Sequence, residues 1–128
     1  MKVDAISTTS FQYHHPLKTQ WLKGNMPTVK YGLYGERLTP KTVSLEHLTP
    51  VSQGGKTTLG NLALADKKKN NDRGTEFIGK FLTIEMVKNY CRQFKDINLP
   101  DFNGNEYIRL MKKYFGGLLW TFFKKLAY

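Results

Sequence analysis

The chain has 128 residues, a length that suits one domain, and its 20 Lys and Arg against 10 Asp and Glu give a formal net charge of +10. Its one cysteine, Cys91, excludes an intramolecular disulfide framework and any multi-cysteine zinc site. The charge points to a polyanionic partner, nucleic acid ahead of an anionic membrane surface. With no signal-type segment from Met1 to Phe11 and no apolar run near the ~20 residues that span a bilayer, a soluble, intracellular (cytoplasmic) protein is expected.

Residues 1–30 mix Ser, Thr, Pro and Gly with aromatics and read as irregular structure with short extended pieces. His14-His15 suits a surface turn, Pro16 pushing His15 toward an extended conformation. From Thr42 to Leu48 polar and apolar residues alternate, which predicts a short strand with Val43 and Leu45 on one face and Ser44 and Glu46 on the other. Pro40 and Pro50 bracket it, and Gly54-Gly55 supplies a loop able to take positive φ. Asn61 stands before Leu62-Ala63-Leu64-Ala65, which predicts a helix capped by Asn61, lasting to about Asn70–Asn71 and stopped by Gly74. Thr83 predicts a second cap, before a helix with Met86, Val87, Tyr90, Cys91 and Phe94 at three- and four-residue spacing. After Pro100 and Asn103-Gly104, a further helix carries Tyr107, Ile108, Leu110, Met111, Tyr114 and Phe115. Gly116-Gly117 interrupts it, and Leu118–Leu126 forms a last apolar helix. These stripes are core, with Trp21 and Trp120 as bulky fillers and Cys91 buried and inert.

One ordered set of residues carries chemistry. Glu46-His47 ends the strand; Pro50 and Gly54-Gly55 follow; Asn61-Leu62 opens the next element; Asn70-Asn71-Asp72-Arg73-Gly74 closes it. This pattern resembles the HNH family of ββα-metal nucleases, over about residues 30–75. The resemblance implies an α+β domain spanning residues 1–128: an HNH ββα-metal hairpin and helix at 30–75, with added C-terminal helices over 76–128. It implies a metal-dependent endonuclease that hydrolyses phosphodiester bonds, of DNA before RNA. His47 would be the general base, Glu46 and Asn70 the ligands of Mg²⁺ or Mn²⁺, and Asn61 the residue that holds the loop so that His47 is oriented.

The residue types suit the reaction. Phosphodiester hydrolysis needs a deprotonated water in line with the leaving oxygen and a cation to neutralise developing charge. An imidazole titrates near the working pH, and hard oxygen donors suit Mg²⁺, which keeps several waters. Adjacent strand side chains face opposite ways, so Glu46 and His47 can share a site only where the strand ends or bends. On one helix, a rise of ~1.5 Å per residue puts Asn61 and Asn70 about 13 Å apart, too far to be equivalent ligands.

Three positions depart from the family pattern. Glu46 stands where many members have Asp. Tyr31 and Tyr34, then Asp66 and Lys69, stand where many members have two Cys-x-x-Cys pairs, so packing is expected in place of a structural zinc. Asn71 fits the terminal ligand position nearly as well as Asn70. Lys67, Lys68, Lys69, Arg73 and Lys56 are expected to grip phosphates flanking the cut, extended by Lys41 and the basic C-terminal helices. Cutting both strands with a one-site domain favours a homodimer. Two rivals stand beside this reading: a non-catalytic nucleic-acid-binding module or assembly subunit that keeps the HNH frame, and a membrane-surface protein using 115–128.

Overall fold

The computed structural model describes residues 15–127, with side chains to residue 116. Among them it is a small mixed α+β protein with two small antiparallel sheets. His14 lies outside the described residues, and so does the side chain of Trp120.

The first helix, α1 (Pro16–Leu22), falls where irregular structure is expected. Its start is locally encoded: Pro16 occupies the first turn, where no amide hydrogen is needed, and the Leu17 amide donates to His15 Nδ1 at 3.1 Å. Leu17 is fully buried, and Trp21 Nε1 donates to the Val29 carbonyl at 2.6 Å. The helix is thus fixed to the body at both ends.

Strand β1 (Val43–His47) forms as the alternation predicts. The run Leu62–Asp66 is strand β2, and the helix expected to start at Leu62 starts only at Lys67. The strands pair antiparallel, with Val43 opposite Asp66, Leu45 opposite Leu64 and His47 opposite Leu62. Leu62 to Ala65 are all buried. A strand covered on both faces is a continuous apolar run, which periodicity does not separate from a buried helix. Packing thereby overrides the helical preference of Leu and Ala. Asn61 is therefore not the helix cap; Asp66 is, accepting from the amides of Lys68 and Lys69. Helix α2 (Lys67–Arg73) ends at Gly74, φ 60°, where the glycine predicts its end.

Helix α3 (Ile84–Arg92) is capped by Thr83, whose Oγ1 accepts from the Met86 amide at 3.2 Å. A hairpin of β3 (Asn98–Leu99) and β4 (Phe102–Asn103) turns the chain into α4 (Gly104–Ala127). The break expected at Gly116-Gly117 does not occur. A glycine inside a helix costs about 1 kcal/mol without forbidding it.

The helical part joins the hairpin through two buried tyrosines. The Leu64 amide donates to Tyr90 Oη at 2.8 Å, and Tyr107 Oη donates to the Leu62 carbonyl at 2.6 Å. The two hydroxyls lie 2.8 Å apart. With the Leu33 amide on the Leu64 carbonyl, they satisfy the edge of β2 that β1 does not, an edge otherwise open to pairing. Tyr90, Phe94, Phe102 and Tyr107 pack edge-on or tilted at 4.8–6.2 Å, and one hydrophobic cluster runs from Leu17 to Phe115.

Candidate active site

The end of β1 and the face of α2 enclose a cleft of about 490 Å³ lined by Lys18, Ser44, Leu45, His47, Lys67, Asn70 and Asn71. It brings together His47 and Asn70, two of the three residues expected to meet at a cation. Asn71 also lines it. Asn70 Nδ2 donates to the Leu45 carbonyl at 3.2 Å and to Ser44 Oγ at 3.3 Å. A carbonyl only accepts, so this contact fixes which end of the amide is nitrogen. The amide oxygen, a hard neutral donor, is left over for a ligand.

His47 is half-buried, and Nε2 lies 2.9 Å from Thr57 Oγ1. Burial lowers the imidazole pKa below its ordinary 6.5, which keeps the ring neutral at pH 7. A histidine base needs that state. Thr57 lies in the loop after Gly55, and nothing in its sequence context marks it as the partner of His47.

Asn61 holds that loop. Its Oδ1 accepts from the Thr49 amide at 2.8 Å, and its Nδ2 donates to the carbonyls of Thr49 and Lys56 at 3.0 and 2.9 Å. Its backbone carbonyl accepts from the Leu48 amide at 2.8 Å. Asn61 and Asn70 belong to different elements, so the distance along one helix does not separate their roles. Their hydrogen bonds do: the Asn61 amide is spent on the loop, and Asn70 lines the cleft. Gly54 turns the loop at φ 92°. At Gly55 a Cβ would sit 1.8 Å from the Thr49 carbonyl oxygen and 2.9 Å from Asn61 Nδ2, so only glycine fits there.

Glu46 does not line the cleft. Its side chain is fully buried and accepts from Tyr34 Oη through Oε2. Arg73 Nη1 lies 3.3 Å from Oε1, aimed at the His47 carbonyl instead, so Oε1 has an ion pair and no hydrogen bond. Burial raises the Glu46 pKa to about 7 against the pull of Arg73. Tyr34 is half-buried and is tied to this carboxylate. Tyr31 is 47% exposed and covered by Arg37 at 5.8 Å.

Arg73 is a correction to the expected phosphate contacts. It is 2% exposed, and its guanidinium donates to the carbonyls of Glu76, His47 and Leu48 at 2.7, 2.9 and 2.8 Å. No part of it is left to meet a phosphate. Of the other expected contacts, Lys67 lines the cleft. Lys68 pairs with Asp72 at 3.1 Å, Lys69 lies 3.8 Å from Glu36, and Lys56 is exposed on the loop. Lys18, on α1, lies outside the stretch that carries the motif, and its place in the cleft follows only from how α1 docks.

The cleft offers a hydrated hard cation few protein oxygens among the described residues, so such an ion would depend on water and on the phosphate of the substrate for its other ligands. Asn70 offers an amide oxygen, and no group of three or more His, Cys, Asp or Glu converges among the described residues. Such an ion would keep most of its waters, as Mg²⁺ readily does. The chain matches no protein-family model, no curated protein and no solved structure at a significant level.

Proposed function

We propose that this chain is a metal-dependent endonuclease of HNH type, hydrolysing phosphodiester bonds of nucleic acid, DNA before RNA. The observation that carries the reading is the shared cleft, which His47, Asn70 and two lysines line together. The order of β1, β2 and α2 supports the finer reading as an HNH ββα-metal unit, with α3 and α4 as its helical addition.

In the tautomer whose Nε2–H donates to Thr57 Oγ1, His47 Nδ1 would carry the lone pair that takes the proton from the attacking water. Positioned proton transfer of this kind contributes roughly 10²–10⁴-fold. Arg73 and Asn61 hold the backbone from His47 to Thr49. Asn70 would hold a Mg²⁺ or Mn²⁺, which would supply charge neutralisation at the phosphate and the leaving oxygen. For Glu46 to be a second ligand its carboxylate must leave Tyr34 and Arg73. From where it sits, it acts on the site through Arg73.

Plasmid cleavage in Mg²⁺, Mn²⁺ and EDTA, with His47→Ala beside the wild type, tests the reading. Cleavage that needs the metal and falls at least about 10²-fold in His47→Ala supports it; cleavage unchanged in that variant removes the histidine from the chemistry.

A second reading keeps the frame without the reaction, as a nucleic-acid-binding module or assembly subunit. The inward turn of Glu46 favours it, and tight metal-independent binding with no cleavage would select it. Among the described residues no helix is long and apolar enough to cross a membrane.

A further inference from the structure

We infer that the groove between α3 and α4 is a docking site for an acidic amphipathic helix of a partner protein, a second binding surface apart from the cleft at His47. None of the residues that line the groove lines that cleft, so the inference goes beyond the nuclease reading and does not depend on it.

The groove encloses about 490 Å³. Its floor is apolar: Val87 and Cys91, one turn apart on α3, lie across from Ile108 on α4. Its rim is cationic. Lys88 and Arg92, also one turn apart, and Lys95 just beyond the helix stand on one side, and Lys112 stands on the other. All four cations are exposed. On α4, Asn105, Ile108 and Lys112 recur at three- and four-residue spacing over about 10 Å of helix, a length that matches two turns of a docked helix. The two walls are fixed to each other. The Tyr90 and Tyr107 hydroxyls lie 2.8 Å apart, the Phe94 and Tyr107 rings 4.8 Å apart, and the Gly104 amide donates to the Ile97 carbonyl at 2.6 Å. A groove with walls fixed in this way binds without first being ordered.

Charge decides the occupant. Among the described residues, none of the four rim cations lies within 4.0 Å of a carboxylate oxygen, whereas Lys68, Lys69, Lys80 and Arg109 each do. The nearest acids on α4 and on the turn before the hairpin are engaged elsewhere, Glu106 with Arg109 at 2.7 Å and Asp96 with the Asn105 amide at 3.3 Å. Burial pushes the Cys91 thiol up to about 11 against the pull of Lys112, which places that charge near the floor. An acidic amphipathic helix satisfies both features: its apolar side chains cover Val87, Cys91 and Ile108, and the carboxylates beside them meet the rim. A nucleic-acid strand meets the rim alone, since among the described residues no aromatic ring lines the groove for a base to stack on. A second copy of the chain carries the same net charge of +10 and is repelled.

The test uses the full chain and a stapled helical peptide of about fourteen residues, with leucines at three- and four-residue spacing and glutamates beside them. Backbone amide shifts map where it binds, and fluorescence anisotropy gives its affinity at about 0.15 M salt. The peptide should shift the amides of residues 87–95 and 105–112 and leave those of His47 and Asn70 unmoved. Lys88→Glu/Lys112→Glu should weaken binding roughly ten-fold or more. Lys23→Glu/Lys41→Glu, an equal change of net charge at exposed positions elsewhere, should weaken it less than about three-fold. Circular dichroism checks that both double variants are folded. A peptide of the same composition with its leucines spread around the helix should not bind. Binding outside the groove, equal losses in the two double variants, equal binding of the rearranged peptide, or no binding at all would each overturn the inference. So would a DNA duplex or a phosphatidylglycerol vesicle that shifts the groove amides as the peptide does.

Discussion

The guanidinium of Arg73 holds the backbone of His47: Nη1 donates to the His47 carbonyl at 2.9 Å, and Nη2 to that of Leu48 at 2.8 Å. Helix α2 thereby sets where β1 ends and how the histidine is presented. The same helix places Asn70 on the Leu45 carbonyl two residues earlier. One short helix therefore fixes both sides of the cleft, and the Glu46 carboxylate behind it balances the buried arginine.

Arg73→Leu should destabilise the protein by about 3–5 kcal/mol, because it leaves the carbonyls of Glu76, His47 and Leu48 and the Glu46 carboxyl without their buried partner. Arg73→Lys should lose most of the same energy, since one ammonium cannot span the three carbonyls that the planar fork reaches. The double variant Glu46→Leu/Arg73→Leu should recover part of the loss, as buried pairs replaced together often do. Urea unfolding of the four proteins measures this. A double variant no more stable than Arg73→Leu would show that the two side chains are not coupled.

Glu46 makes stability depend on pH with a sign opposite to that of a typical paired carboxylate. Its folded pKa, about 7, lies above its ordinary 4.5. Between those values the folded state holds a proton that the unfolded state has released, so stability falls as pH rises from about 4.5 to 7. His47 contributes the opposite slope: its folded pKa is depressed, and stability is lost as pH falls below the ordinary 6.5. The difference between Glu46→Gln and wild type isolates the carboxylate. Glu46→Gln should gain on the wild type as pH rises through that window, by on the order of 2–4 kcal/mol. Parallel curves would remove the buried carboxylate from the account.

Two neighbouring glycines should respond differently. Gly54→Ala puts a side chain at φ 92° in open space and should cost about 1 kcal/mol. Gly55→Ala drives a methyl group into the Thr49 carbonyl and should cost more, about 1–3 kcal/mol or above. Asn61→Ala, which frees the amide and carbonyl of Thr49 and the carbonyl of Lys56, should fall in the same range. Thermal unfolding ranks the three; Gly54→Ala as the most damaging would contradict this description of the loop.

Much of the local structure was legible in the sequence. The alternation at 43–47, the cap at Thr83 and the glycine stop at Gly74 report chemistry confined to a few residues, and each forms where it is expected. The run from Leu62 to Ala65 was not legible, because its strand state depends on β1, Leu33 and the tyrosines of α3 and α4, all distant in sequence. Asp66 carried a usable signal, an acidic N-cap ahead of three lysines, masked by the apparent cap at Asn61. Helix α1 also had one, Pro16 at its first position. The order from Glu46 to Gly74 led to the cleft, whereas the roles of Arg73 and Glu46 turn on burial, which residue type alone does not give. Lys18 and Thr57 reach the site only through tertiary packing.

The proposed reaction requires His47 and Asn70 to face a single hydrated cation. Its most direct test is side-chain NMR during a titration with Mn²⁺, a paramagnetic ion that broadens only nearby resonances. Well below equimolar Mn²⁺, the His47 ring protons and the Asn70 amide protons should broaden first, and Asn70→Ala should abolish the effect at His47. Resonances of both residues that stay sharp while others broaden would contradict the claim.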